Sequence, residues 1–150
     1  MNRKEKAVEL FYKGCNCSQA VFCAFSDLTG LDDDISLKLA SGFGGGVSRL
    51  RELCGAVSGM ILAYDMLYGY SDISDNALKS EHYKNVQTIC LEFKEKAGSY
   101  VCRELLGIKG SSEPYSPPRD KSFYMTRPCA RLIGLAAEIL EKYIGEREND

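Results

Sequence analysis

Seven cysteines in 150 residues are the side chains of this chain most able to do chemistry. Four of them, Cys17, Cys54, Cys102 and Cys129, fall in or near the first turns of segments that read as helices. Unpaired N–H groups and the helix dipole favour a negative charge there, so a thiol at such a position is expected to ionise more readily. A thiolate attacks disulfides, ligates iron or zinc, and is oxidised. Cys23 and Cys90 lie in helix interiors among apolar residues and read as small buried side chains. Cys15 lies in a link, and Cys15-x-Cys17 lacks the spacing of a redox C-x-x-C pair.

Other residues are weaker candidates. Arg49, Arg51 and Arg103 flank the four thiols, where they would lower a thiol pKa, bind an anionic partner or decorate a solvated helix. His82, the only histidine, has no neighbouring zinc-motif spacing and reads as structural. Gly42, Gly44, Gly45 and Gly46 lack the Gly-Lys-Ser/Thr ending of a phosphate-binding loop and follow no strand. A tight helix-to-helix connection is their expected use.

These residues must be positioned by helices. The expected order is Arg3 to Lys13, Cys17 to Leu28, Asp33 to Ser41, Ser48 to Leu67, Asn76 to Lys96, Tyr100 to Leu106, and a last helix capped by Thr126 with Pro128 near its start. Ile35, Leu37, Leu39 and Ala40 are expected as the apolar cluster of the third helix, and Leu50 and Leu53 as part of the fourth. Gly55, Ala56, Gly59 and Ala63 are small residues three or four apart, suited to close approach by a second helix. Residues 108–126 hold three of the four prolines and read as a long irregular loop; the charged tail from Gly145 reads as frayed. No segment alternates as a strand does. The chain therefore reads as all-α, a single-domain bundle of about six to seven helices spanning residues 1–150, with a long proline-containing loop before the last helix.

A net charge of −2 gives no electrostatic footprint for nucleic acid. No apolar run has the length of a membrane span, and the charged, amphipathic start MNRKEKAVELF lacks a signal-peptide core, so a cytoplasmic protein is expected. In a reducing compartment the thiols are expected to be catalytic, metal-binding or buried rather than stapled in pairs.

The motifs also match a known pattern. Gly14-x-Asn16-Cys17 with Gln19-Ala20-Val21, Ser41-Gly42-Phe43-Gly44-Gly45-Gly46, Cys54-Gly55-Ala56-Val57-Ser58-Gly59, Cys102-Arg103-Glu104-Leu105-Leu106-Gly107 and Cys129 resemble the C_GCAxxG_C_C family of redox-active proteins. The resemblance runs from about Lys6 to Leu140, and the hallmark cysteines fall on Cys17, Cys54, Cys102 and Cys129. It implies a small bacterial or archaeal redox-active protein. The resemblance also implies relatives in proteins with haem and iron–sulfur centres.

Three readings stand at this point. The first is thiol–disulfide exchange or electron transfer, with Cys54 as attacking thiolate, a second hallmark cysteine resolving it, and the 108–126 loop gating access. The partner would be a redox protein or a small thiol or disulfide, and no cofactor is required. The second makes the same four cysteines ligands to zinc or a [2Fe–2S] cluster. The third is a helical binding module whose cysteines only pack. A homodimer is open to all three.

Overall fold

The computed structural model describes residues 1–149. Its elements are all helical: α1 (Arg3–Tyr12), α2 (Cys17–Cys23), α3 (Ser26–Thr29), α4 (Asp33–Ala40), α5 (Gly44–Val47), α6 (Gly55–Tyr68), α7 (Asn76–Ala97), α8 (Cys102–Leu106), α9 (Lys121–Thr126) and α10 (Cys129–Glu148). Among the described residues the only strand-like feature is one isolated antiparallel bridge, between Leu53 and Val101. The all-α expectation holds.

The first helices begin as their sequences dictate. Asn2 with Glu5, and Asn16 with Gln19, form capping boxes that satisfy the orphan N–H groups at the starts of α1 and α2. Asp32 and Asp75 cap α4 and α7 by accepting from Ile35 N and Leu78 N. One core, with Phe22, Phe25, Met60, Ile89, Phe93, Ile133, Ile139 and Leu140 fully buried, is shared by α2, α6, α7, α10 and the turn after α2. The last helix, α10, packs along α1 and against α6, α7 and α2.

Close packing of α2 on α6 depends on Gly59, where an added Cβ would lie 2.5 Å from the Ser18 carbonyl oxygen. That is the use expected of the small-residue stripe. The residues of this stripe, Gly55, Ala56, Gly59 and Ala63, are all buried.

Several expectations fail locally. The helix expected over Cys17 to Leu28 breaks at Ala24–Phe25, where Phe25 leaves the helical region (φ −113°, ψ 14°) and α3 begins. Arg3 takes up the Ala24 carbonyl at 2.8 Å and places its guanidinium over the Phe25 ring. On α4 the buried face is Ser36 and Ala40, while Ile35, Leu37 and Leu39 are exposed. The reason is α2: Gln19 and Asn16 donate to the Leu37 and Ser41 carbonyls, drawing the small-residue face of α4 inward. The fourth helix starts at Gly55 rather than Ser48, because the backbone from Gly45 to Arg51 is largely left-handed. Leu50 is exposed as a result.

The proline-rich segment contains α9, capped by Asp120, whose side chain accepts from Phe123 N. Thr126 closes α9, bonding the Ser122 carbonyl, and Pro128 is the N-cap of α10. The tail is helical to Glu148 because Arg147 donates to the Tyr64 hydroxyl and lies 4.1 Å from the Tyr68 ring centroid. Asp150, the end of the expected tail, lies outside the described residues. No helix among the described residues is long and apolar enough to cross a membrane.

Candidate functional site

Three of the four singled-out cysteines are the first residues of their helices: Cys17 of α2, Cys102 of α8 and Cys129 of α10. The fourth, Cys54, is the N-cap of α6. All four line one cavity of about 430 Å³. Cys15, Cys23 and Cys90 do not line it. All seven are free thiols.

Backbone geometry brings these helix starts together. Residues 51–54 run antiparallel to 100–103, with Cys54 N donating to the Tyr100 carbonyl at 2.8 Å and Cys102 N to the Glu52 carbonyl at 2.6 Å. The Leu53–Val101 bridge thereby fixes Cys54 and Cys102 in register on neighbouring segments. Gly46 admits them: with φ +67°, a Cβ there would lie 2.6 Å from Cys102 Cβ and 2.8 Å from Glu52 N. Gly55 does the same for Cys17, whose Cβ would lie 3.0 Å from a Cβ added to it. Gly46 and Gly55 thus let neighbouring backbone and cysteines pack closely at the cavity's edge.

The segment after the glycines is strained. Val47, Ser48, Arg49 and Arg51 all have positive φ, between 50° and 71°. A β-branched residue such as Val47 is a genuine outlier there, and such strain clusters at functional sites. It is held by hydrogen bonds from Glu52 N to Gly46 O and from Ser112 N to Arg49 O, both 2.9 Å. Its product is two arginines, Arg49 and Arg51, in the cavity wall.

Helix position alone does not set the thiol charges. Burial pushes the Cys54 thiol up to about 12, although the Ala56 and Val57 N–H groups act in the opposite sense. Burial also raises Cys102, tempered by Arg51, whose guanidinium reaches its Sγ at 3.7 Å. Cys129 alone is lowered, to about 7. The leading cause is a hydrogen bond from the Cys17 side chain, and Arg127, Arg51 and Arg119 add favourable charge. Cys17, the donor, is correspondingly raised well above its ordinary value. The expectation of four acidic thiols is thus corrected to one, because desolvation outweighs the helix ends at the other three. Cys23 and Cys90 are each pushed up to about 11 by burial, in keeping with their reading as inert packing residues.

Among the described residues no group of three or more His, Cys, Asp or Glu is placed to hold a metal ion. The four thiols share a cavity without forming a ligand set. His82 pairs with Asp65 at 2.6 Å and stacks on Tyr64, outside the cavity lining.

Arg119 and Arg127 also line the cavity, and reading the sequence missed both. Arg119 sits in the stretch taken as irregular and Arg127 just past it at the expected start of the last helix, and the only signal was Arg127 two residues before Cys129. Arg119 bonds the Cys15 carbonyl at 3.2 Å and lies 5.0 Å from the Phe11 ring centroid. Arg119 and Arg127 each lie 4.6 Å from the Phe123 centroid. Arg103, expected near the thiols, instead pairs with Glu52 and does not line the cavity.

A protein of Archaeoglobus fulgidus described as uncharacterized is 29% identical over 147 residues, covering 91% of this chain and 89% of its own. No solved structure matches. The model of the family described as "Putative redox-active protein (C_GCAxxG_C_C)" matches residues 15–143, from the link before Cys17 to the body of α10 and across every cysteine of the cavity, and the chain belongs to that family.

Proposed function

We propose that this protein is a thiol–disulfide redox protein whose working pair is Cys129 and Cys17. The observation that carries the reading is that Cys17 and Cys129 line one cavity with Cys54 and Cys102, where Cys17 and the surrounding arginines hold the Cys129 thiol below its ordinary value. Cys129, not Cys54, is the attacking sulfur: its thiolate is held by Cys17 and the arginines, whereas Cys54 stays protonated in its buried setting.

The exchange runs in two displacements. The Cys129 thiolate attacks one sulfur of a disulfide R–S–S–R, forming a Cys129–S–S–R mixed disulfide and releasing RS⁻. Cys17 gives its proton to the departing thiolate and attacks the Cys129 sulfur. A Cys17–Cys129 disulfide forms and the second RS⁻ leaves. The substrate is reduced by two electrons and the protein oxidised by two; a dithiol partner reverses the protein step. The wall from Pro114 to Pro117 borders the cavity and bears on access to it.

Treatment of the reduced protein with diamide, followed by peptide mass spectrometry, tests the pair. A Cys17–Cys129 cross-link is expected. Cys129→Ser abolishes it, and Cys17→Ser leaves Cys129 trapped as a mixed disulfide with an added small thiol. Protein that resists diamide, or that links other cysteines first, overturns the assignment.

A further inference from the structure

The cavity wall carries a positive charge that the protein does not answer. Its lining holds Arg49, Arg51, Arg119 and Arg127 and no aspartate or glutamate. No ion pair among the described residues involves any of the four. Their hydrogen bonds go to neutral acceptors: Arg49 to the Tyr115 carbonyl, Arg51 to Ser112 Oγ and Cys102 Sγ, Arg119 to the Cys15 carbonyl. Two of their N–H groups, Arg49 Nε and Arg119 Nη1, are buried with no acceptor. Buried donors in folded proteins are almost always bonded, so orphans in a cavity wall point to an absent partner.

Arg51 is only 3% exposed, so water does little to screen it. Burial and the nearby guanidiniums of Arg51 and Arg127 also hold Arg49 below its ordinary value. The Cys129 thiolate supplies one negative charge against four positive ones. Clustered, half-desolvated guanidiniums of this kind are a binding site for an anion, and their planar forks match a carboxylate.

We infer that the cavity binds a small anionic ligand, and, resting on the dithiol reading above, that this ligand is a low-molecular-weight disulfide whose ends carry carboxylates. The volume suits a small molecule rather than a folded partner. Arg51, Arg119 and Arg127 all act on the charge of Cys129, so a disulfide sulfur placed at Cys129 has guanidiniums around it for its flanking carboxylates. The displacements are those given above, with R–S⁻ a carboxylate-bearing thiolate. The arginines thus select the substrate as well as acidify the thiol.

Two measurements test this. The first is the rate at which reduced protein reacts with 3,3′-dithiodipropionate, its neutral diamide and the dication cystamine at low ionic strength. The dicarboxylate is expected to react at least about tenfold faster than the diamide, with cystamine slowest. The dicarboxylate-to-diamide ratio falls toward one in Arg127→Gln and Arg119→Gln, and added salt lowers it. Because a ratio is read, the loss of thiol acidity in these variants cancels. Arg127 is held by ring contact, so its replacement is expected to leave the fold intact; Lys84→Gln, on the exposed side of α7, keeps the parent ratio.

The second measurement uses Cys129→Ser, which cannot react. Its melting temperature is expected to rise with the dicarboxylate and not the diamide, and Arg127→Gln added to it removes the rise. Equal rates for all three disulfides with no melting shift overturn the anion site and leave the dithiol pair standing. A dicarboxylate-specific melting shift in protein whose Cys129 reacts with no disulfide overturns the substrate assignment and the dithiol reading, and leaves an anion site alone.

Discussion

At the scale of single residues, position and charge state separate. The position of Cys17 at a helix start was legible because Asn16 and Gln19 mark that boundary in the sequence, and glycines and apolar spacing placed Cys54, Cys102 and Cys129 near the starts of theirs. Their protonation was not, because it is decided by burial and by arginines distant in sequence. Cys54 has two helix N–H groups on its sulfur side and is still pushed up to about 12, being 5% exposed. Cys129 is brought down to about 7 chiefly by the neighbouring Cys17 side chain, from a residue 112 positions earlier in the chain. A thiolate reacts and a thiol does not, so alkylation of Cys129 by iodoacetamide should rise with pH through a midpoint near 7 and level off above it. Cys54 should stay unreactive across that range. Cys17→Ala removes the leading cause of the shift and should move the Cys129 midpoint upward, toward its ordinary value. Site-resolved mass spectrometry of the alkylated protein reads both; an unmoved midpoint would assign the shift to the arginines instead.

Elements show why part of the framework was readable and part was not. The starts of α1, α2, α4 and α7 follow from Asn and Asp caps that act within three residues. The start of α6 does not, since the left-handed run through Val47, Ser48, Arg49 and Arg51 is imposed by contacts with residues 100–103 and 112. No local preference of valine or arginine announces such a conformation. The α2–α6 contact was legible as a small-residue stripe, and it carries a direct consequence. In Gly59→Ala the new methyl meets the Ser18 carbonyl at 2.5 Å, a backbone atom that cannot rotate away. The two helices must separate, and overpacking of this kind costs about 1–3 kcal/mol, readable as a lowered urea midpoint. Gly145→Ala, where a Cβ meets nothing within 4 Å, serves as the control and should leave the midpoint unchanged or slightly raised. A Gly59→Ala protein as stable as the parent would mean that α2 and α6 are not held at this spacing.

For the whole molecule, the cavity is assembled from both ends of the chain. Cys17 comes from the first hairpin of helices, Cys54 and two arginines from the middle, and Cys129, Arg119 and Arg127 from the last third. The proline-rich segment was read as a long loop, and in the structure it is a wall tied down at three points. Arg49 donates to the Tyr115 carbonyl at 2.6 Å, Arg51 Nε to Ser112 Oγ at 2.9 Å, and Arg119 to the Cys15 carbonyl. These ties could not be read from sequence, since each joins residues 61 to 104 positions apart. They also couple the wall to the charges that define the site. Ser112→Ala leaves Nε of the buried Arg51 without its acceptor, a loss of about 1–3 kcal/mol. The cost falls on the wall, because the α2–α6–α10 core does not include Ser112. Limited proteolysis should therefore cut Ser112→Ala within residues 108–120 sooner than the parent, while the helical core resists equally in both. If cleavage instead begins elsewhere, or at parental rate, the arginine ties do not hold the wall and access to the thiols is set by some other contact.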